Sequence, residues 1–412
     1  MSTILPSESA IRLDYLDAVR AFALVLGVVF HASLSFTPWF MGWAVQDIFT
    51  SARVGDFILV SHSFRMEAFF LIAGFFAHRT LGRGGWAAFV RSRVLRIGVP
   101  FVAGWFVLRP LVVSGWIMGA ASLRGDYDFW AAIGGGFQSL RELPAGMFTG
   151  SHLWFLYYLA LITGLTLALR GAVQLAGAWG AWLMCGADAV ASWLARSSFA
   201  LPVAAVPVAG ALWFMQSWGM DTPDKSLVPH APVLLVYGGF FVLGWLFDRV
   251  PGAIDDFSRL TWTCGVLAVA GIATCLLLAP IQTDLSHPRH DLAHAVFSLG
   301  YAMMMLALVA LTFGVFRRFC ARPRPVVRYV ADSSYWMYLI HLPIVVWLQV
   351  AVAEVEVHWS LKLAFITIAT VVLALVSYDL FVRSTFLGAL LSGGRRARVM
   401  FSWPKKPGGP PV

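Results

Sequence analysis

Residues 14–36 read DYLDAVRAFALVLGVVFHASLSF, and the reading of this stretch decides the fold. Asp14, Asp17 and Arg20 mark its start, and from Ala21 to Phe36 the only ionisable side chain is His31. A bilayer core of roughly 30 Å is crossed by about 20 apolar residues in a helix, so a first span is expected near residues 20–40. The run continues into bulky Trp39 and Phe40 with no small-residue cleavage site, so the segment is expected to stay in the mature chain.

The rest of the chain repeats this pattern. Of 412 residues, 59% are apolar and only 12% charged, against about 25% charged in an ordinary soluble domain. Mean hydropathy is +0.76. That leaves too little polar surface for a soluble globule, and excludes a disordered chain or a disulfide scaffold as well. The fold class is therefore an all-α polytopic membrane protein. Further spans are expected near 57–77, 97–118, 152–170, 199–217, 231–248, 259–280, 293–316, 334–353 and 362–383, about ten in all. Gly residues, Asp188 and Arg196 interrupt 172–195, which reads as an interfacial or re-entrant piece. Aromatics reach 15%, with 18 Trp, which suits helices anchored at two water interfaces.

The net charge of +9 is read as topology before nucleic acid. With ten spans and both termini on one side, that side collects most of the 30 Lys and Arg. Among them are Arg12, Arg20, Arg79, Arg83, Arg91, Arg93, Arg96, Arg317, Arg318, Arg322, Arg324 and Arg328, and the C-terminal group up to Lys405 and Lys406. The positive-inside rule places both termini in the cytoplasm, and the loops around 120–150 and 281–292 on the far side. No internal repeat is evident. Residues 1–390 read as one integral-membrane domain and 391–412 as a disordered basic cytoplasmic tail resting on anionic lipid. Cys185, Cys264, Cys275 and Cys320 form no CxxC pair and sit in or beside apolar runs, which argues against disulfides, zinc or iron–sulfur centres.

Ionisable side chains within apolar spans are costly, so each is a functional candidate. At about 100° per residue, Arg20 and His31 share a helix face roughly 16.5 Å apart. This puts His31 near mid-membrane above Arg20, where an imidazole can accept a proton. The plain alternative is a buried histidine bonded to a carbonyl or another helix. In SHSFRMEAFFLIAGFFAHR (61–79), His62 and Arg65 can share a face, whereas Arg65 and Glu67 cannot pair within one helix. Gly74 offers close approach to a neighbouring helix. In RSRVLRIGVP (91–100), Arg93 and Arg96 lie on one face; they are either topogenic or, with Arg20, an anion cradle for phosphates. DSSYWMYLIHLP (332–343) lines up Ser334, Tyr338 and His341, with Pro343 freeing a carbonyl. HPRHDLAH (287–294) lacks the acidic base of a zincin and reads as a polar mouth rather than a metal site.

The ordered set of motifs resembles the membrane acyltransferase-3 family. Its R-X10-H signature is similar to Arg20–His31, and its further landmarks are similar to FRMEAFFLIAGFF (64–76), Arg93–Arg96, HLWFLYYL (152–159) and Tyr335–Pro343. LDAVRAFALVLGVVFHASL and HSFRMEAFFLIAGFFA resemble more closely its glucan-modifying protein C branch, the succinyltransferases of osmoregulated periplasmic glucans. One departure is Glu67, where the resemblance implies an uncharged Gln. The resemblance implies O-acyl transfer from cytoplasmic acyl-coenzyme A (succinyl-CoA or acetyl-CoA, a donor substrate and not a resident cofactor) to hydroxyls of a periplasmic glucan. It also implies a Gram-negative inner membrane, with other glucan-biosynthesis proteins as partners. On this reading His31 is the general base, and Arg20, Arg93 and Arg96 hold the coenzyme. Arg65, His62, Glu67, Trp154 and His341 face substrate, with Arg65 taking a succinyl carboxylate and Trp39, Trp43 and Trp154 offering faces to sugar rings. A secondary transporter or flippase would bury similar polar groups, and a sensor or assembly subunit would need no coenzyme site.

Overall fold

The computed structural model describes residues 13–43, 45–141, 151–197, 199–322 and 324–400, and among these residues the regular structure is entirely helical. Lipid supplies no hydrogen bonds to an exposed backbone, so apolar runs of this length satisfy themselves as helices. The first quarter holds α1 (Asp14–Ser33), α2 (Ala52–His62), α3 (Arg65–Arg93) and α4 (Val99–Ser122). Next come α5 (Phe129–Gln138), α6 (Trp154–Leu175), α7 (Gly177–Arg196) and α8 (Ala200–Leu212). The second half contains α9 (Ala231–Arg249), α10 (Ala253–Phe257), α11 (Trp262–Leu278), α12 (His290–Cys320), α13 (Pro325–Val352), α14 (Trp359–Ser377) and α15 (Phe386–Ser392).

Among the described residues, eight helical runs are long and apolar enough to cross a membrane, or nine if the bent pair α7–α8 is one span. One of the eight, Ala52–Ser122, has 71 residues, which as a straight helix would reach about 107 Å, over three bilayer cores. It is broken at Gly85, whose φ of +70° favours glycine, and again in a π-helical turn at Val94–Gly98. Counting α3 and α4 as separate passes gives nine among the described residues, or ten with the bent pair as one span, against about ten expected. The burial pattern sets the layers. The most apolar windows of α1 and α12 are each 67% buried, while that of α11 is 22% buried. α1 and α12 form the centre, and α11 and α14 turn Val269, Leu277, Leu361 and Ile368 outward as a lipid-facing surface requires.

Several boundaries differ from the sequence expectation. The span expected over 57–77 is interrupted between His62 and Arg65, where α2 ends and α3 begins. His31 stands in the last turn of α1, which passes directly into a 3-10 turn at Leu34–Phe36. Arg93 and Arg96 do not continue one α-helical face, because the π-helical turn begins between them. The interrupted piece at 172–195 contains a continuous helix, α7. Its Asp188 pairs with Arg249 at 2.8 Å and its Arg196 with Asp256 at 2.9 Å, which holds α7 against the ends of α9 and α10. The span expected over 199–217 is helical only to Leu212.

The tightest seam joins α3 to α9, which run side by side in the same direction. A Cβ on Gly74 would lie 1.8 Å from the Phe241 carbonyl oxygen, and one on Gly244 1.8 Å from that of Leu71. These two glycines let the backbones touch. At the far end of the seam, Asp248 receives His78 and Arg79, each at 2.8 Å. On the same side of the molecule the C-terminal stretch folds back over the helix ends. Arg396 pairs with Asp332, and the Asp379 carboxylate accepts the Val399 and Met400 N–H groups at 2.9 and 3.1 Å. Residues 391–400, expected to begin a tail, thus make specific contacts, and 401–412, with Lys405 and Lys406, lie outside the described residues, as does Arg12.

Candidate functional site

Helix α13 passes beside α1 and organises the site at two levels. Near the Asp14 end, Arg20 donates to Asp17 Oδ1 at 3.2 Å and to Ser334 Oγ at 3.4 Å. The next residue of α13, Tyr335, donates its hydroxyl proton to the Arg96 carbonyl. Two neighbouring positions of one helix therefore bring Arg20 and the Arg96 backbone to the same mouth. Arg93 lies over the Phe89 ring at 4.8 Å, and its buried Nε has no hydrogen-bond partner among the described residues. The Arg96 guanidinium reaches the C-terminal stretch, where a Cβ on Gly393 would overlap its Nη2. Gly393 has a φ of +81°, so both the backbone and its neighbour call for glycine. The mouth is rich in guanidinium groups, as an anion cradle would be.

One to two helical turns further along α13, the polar centre opens. The His31 ring lies 5.3 Å from that of His341, centroid to centroid, and His341 lies 5.4 Å from His152. His341 Nδ1 is 2.8 Å from the Tyr338 carbonyl oxygen, and His152 Nε2 is 2.8 Å from that of Leu339. A carbonyl only accepts, so these two nitrogens carry the protons and leave the other nitrogen of each ring as the basic one. His31 Nδ1, in contrast, is buried without a partner among the described residues. The sequence puts Arg20 with His31 on one helix face and Ser334 with His341 on another; the structure sets these two faces against each other.

A second wall comes from α2 and α3. Although a break separates His62 from Arg65, both settle on the Phe30 ring. His62 stacks on it at 5.3 Å, and the Arg65 guanidinium carbon lies 4.3 Å from its centroid. His62 Nε2 also lies 3.0 Å from the Met220 carbonyl oxygen. Arg65 is 5% exposed and its Nη1 has no hydrogen-bond partner among the described residues; Glu67 is fully buried, and among the described residues no side chain bonds its carboxylate. Glu67 falls in the first turn of α3, where the helix dipole favours a negative charge. Trp154 does not offer the open face expected of it. It is buried and stacks on Tyr237 at 5.7 Å, so its ring is covered by protein.

Three contributors went unnamed in the sequence reading as site residues. His152, just before α6, completes the row of imidazoles. Tyr237 on α9 presents a buried hydroxyl beneath Trp154, without a hydrogen-bond partner among the described residues. Gln349 on α13 is 1% exposed and lies against the end of α1. A lone amide within PIVVWLQVAV (343–352) is itself a costly polar group, and that was the available signal. In the segment His287–His294, Arg289 and Asp291 are exposed, while His294 stacks on Trp213 and Trp218 at 4.2 and 4.9 Å. No group of three potential metal ligands occurs among the described residues.

With this geometry in view, comparisons with known proteins are informative. A family described as "Acyltransferase domain", the third of its series, matches residues 13–379. The chain is 22% identical over 397 residues to Glucans biosynthesis protein C of Escherichia coli (strain K12), covering 92% of this chain and 94% of that protein. It is 24% identical over 405 residues to Glucans biosynthesis protein C of Salmonella heidelberg (strain SL476), with 94% and 96% covered. No solved structure matches the chain.

Proposed function

The chain belongs to the acyltransferase-3 family across residues 13–379, and from that premise we propose that it acylates a periplasmic glucan at its hydroxyl groups, drawing the acyl group from cytoplasmic acyl-coenzyme A. The observation that carries the proposal is the double use of α13. One helix holds Arg20 at the arginine-rich mouth through Ser334 and faces His31 with His341. Arg20 and His31 are eleven residues apart on α1, a rise of roughly 16.5 Å, which the thin acyl-pantetheine arm can bridge while its phosphates stay among Arg20, Arg93 and Arg96. The arginine asymmetry supports a cytoplasmic mouth, which on this reading leaves the glucan to approach from the opposite side of an inner membrane.

In the reaction, His31 takes the proton of a glucan hydroxyl as the oxygen attacks the thioester carbonyl. The carbon–sulfur bond breaks, the ester forms, and the departing thiolate takes up the proton from the imidazolium. Succinyl is the favoured acyl group. Its free carboxylate needs a cation, and Arg65 has an unpartnered Nη1 beside Phe30. Each transfer would add one negative charge to the glucan.

The test uses purified protein, glucan, and acyl-coenzyme A radiolabelled in the acyl group, with succinyl and acetyl donors run in parallel. Label appearing in the glucan supports the reading and identifies the donor. A transporter or flippase would move glycan across vesicles without incorporating label, and a sensor would do neither; either result overturns the proposal.

A further inference from the structure

Gln349 uses its whole amide to join two parts of the His31 surroundings. Its Oε1 accepts from Trp43 Nε1 at 2.9 Å, and its Nε2 donates to the carbonyl oxygens of His31 and Ala32 at 3.0 and 3.1 Å. The partners force this orientation, because an indole N–H only donates and peptide carbonyls only accept. Both carbonyls belong to the last turn of α1, where helix ends leave C=O groups open to outside partners; that of His31 also accepts the Leu34 N–H. The amide thus fastens the very turn that carries the imidazole.

Its other partner lies directly against that imidazole. The Trp43 ring is 6.0 Å from the His31 ring and within 24° of parallel to it, and Trp116 packs edge-on behind Trp43 at 6.1 Å. The loop bearing Trp43 is held at its far side too. Asp47 N–H donates to the Ser35 carbonyl at 2.9 Å and Ile48 N–H to that of Ala353 at 3.2 Å. The Asp47 carboxylate meets Lys362 Nζ at 2.8 and 3.0 Å, with both side chains buried. Catalytic imidazoles are commonly oriented by a carboxylate on the second ring nitrogen. Here His31 Nδ1 has no partner among the described residues, so its orientation rests on the walls around it.

We infer that Gln349 is a positioning residue for His31: it fixes the end of α1 and the indole plane that together set where the imidazole points. The residue type follows from the task. Glutamate would keep the acceptor for Trp43 but lose both donors, methionine would lose all three contacts, and asparagine would stop one methylene short. The inference rests on His31 being the base, and its test has a readout that does not depend on acyl transfer.

That readout is the rate at which diethylpyrocarbonate modifies His31 in the full-length protein, mapped by peptide mass spectrometry, with exposed His358 as the internal reference. In Gln349→Met the His31 rate should change by at least about 3-fold while His358 is unaffected. For acyl transfer, kcat should fall about 10- to 100-fold, as misplacement of a reacting group does, with KM for donor and glucan held within about twofold. Trp43→Phe keeps an aromatic ring beside His31 but loses the N–H, and should show a smaller change of the same kind. The double variant should be no worse than Gln349→Met alone, because both remove one shared hydrogen bond. An unchanged His31 modification rate, or losses that multiply, would overturn the inference. If Gln349→Met does not fold, Trp43→Phe alone decides by the same rate. If the wild-type protein transfers no acyl group, the proposed function fails while the modification rates still judge Gln349.

Discussion

His31 and Arg20 sit three turns apart on α1, and α13 meets both, Arg20 through Ser334 and His31 through His341. This division of labour gives each residue a distinct signature. His31→Gln keeps size and hydrogen-bonding capacity but cannot take a proton, so it should lower transfer by about 10² to 10⁴ with acyl-coenzyme A binding and melting temperature unchanged. Normally acylated, anionic glucans from such a strain would remove His31 from the mechanism. Arg20→Ala and Arg93→Ala should raise KM for the donor more than for the glucan, and added salt should weaken donor binding further. Unaltered coenzyme binding by calorimetry in both would reduce these arginines to topology signals. Arg65→Gln should discriminate between donors. Losing a charged hydrogen bond of about 1.5–3 kcal/mol should raise KM for succinyl-coenzyme A by roughly 10- to 100-fold and leave acetyl-coenzyme A nearly unaffected; equal effects on both would free Arg65 from a carboxylate-binding role. At this scale the sequence was legible wherever a polar side chain interrupted an apolar run. It misjudged Trp154, because a Trp in a span says nothing about which face Tyr237 will cover.

Elements were legible as apolar runs, and their ends less so. Nothing in SHSFRME marks a helix break, for it holds neither Pro nor Gly. The break follows from partners elsewhere in the chain: Met220 and Thr222 beside His62, and Phe30 beneath Arg65. Likewise Asp188 and Arg196 read as interruptions until Arg249 and Asp256 supply their partners. Gly74, by contrast, was legible as a point of close approach. Gly74→Ala or Gly244→Ala places a methyl 1.8 Å from a carbonyl oxygen, so the α3–α9 pair must part, at a cost of about 1–3 kcal/mol or more. Thermal unfolding in detergent should show a clear fall for both. Gly164→Ala, with open space around its Cβ on α6, is the control and should hold or gain stability. Equal melting temperatures for all three would deny the seam its role.

For the molecule as a whole, the orientation in the bilayer is a proposal resting on where the arginines gather, and accessibility tests it. Ser122 is buried at the end of α4, whereas Asp126 just beyond it is exposed, so Asp126→Cys is the better probe. It should react with a membrane-impermeant thiol reagent on intact spheroplasts. Cys185, exposed on α7 at the opposite end, should react only after permeabilisation. The reverse pattern would invert the molecule and place the arginine mouth outside. The parallel seam between α3 and α9 also bears on how the protein is made. His78 and its partner Asp248 are 170 residues apart in the chain, and a ribosome adding about 5–20 residues per second needs roughly 10–35 s to bridge that gap. Throughout that interval α3 exists with Arg65, Glu67 and the Gly74 notch but without the helix that closes over them. A nascent chain arrested before α9 should therefore remain beside the insertion machinery, where a crosslinker placed on α3 would find it, and move into lipid only once the ninth helix arrives.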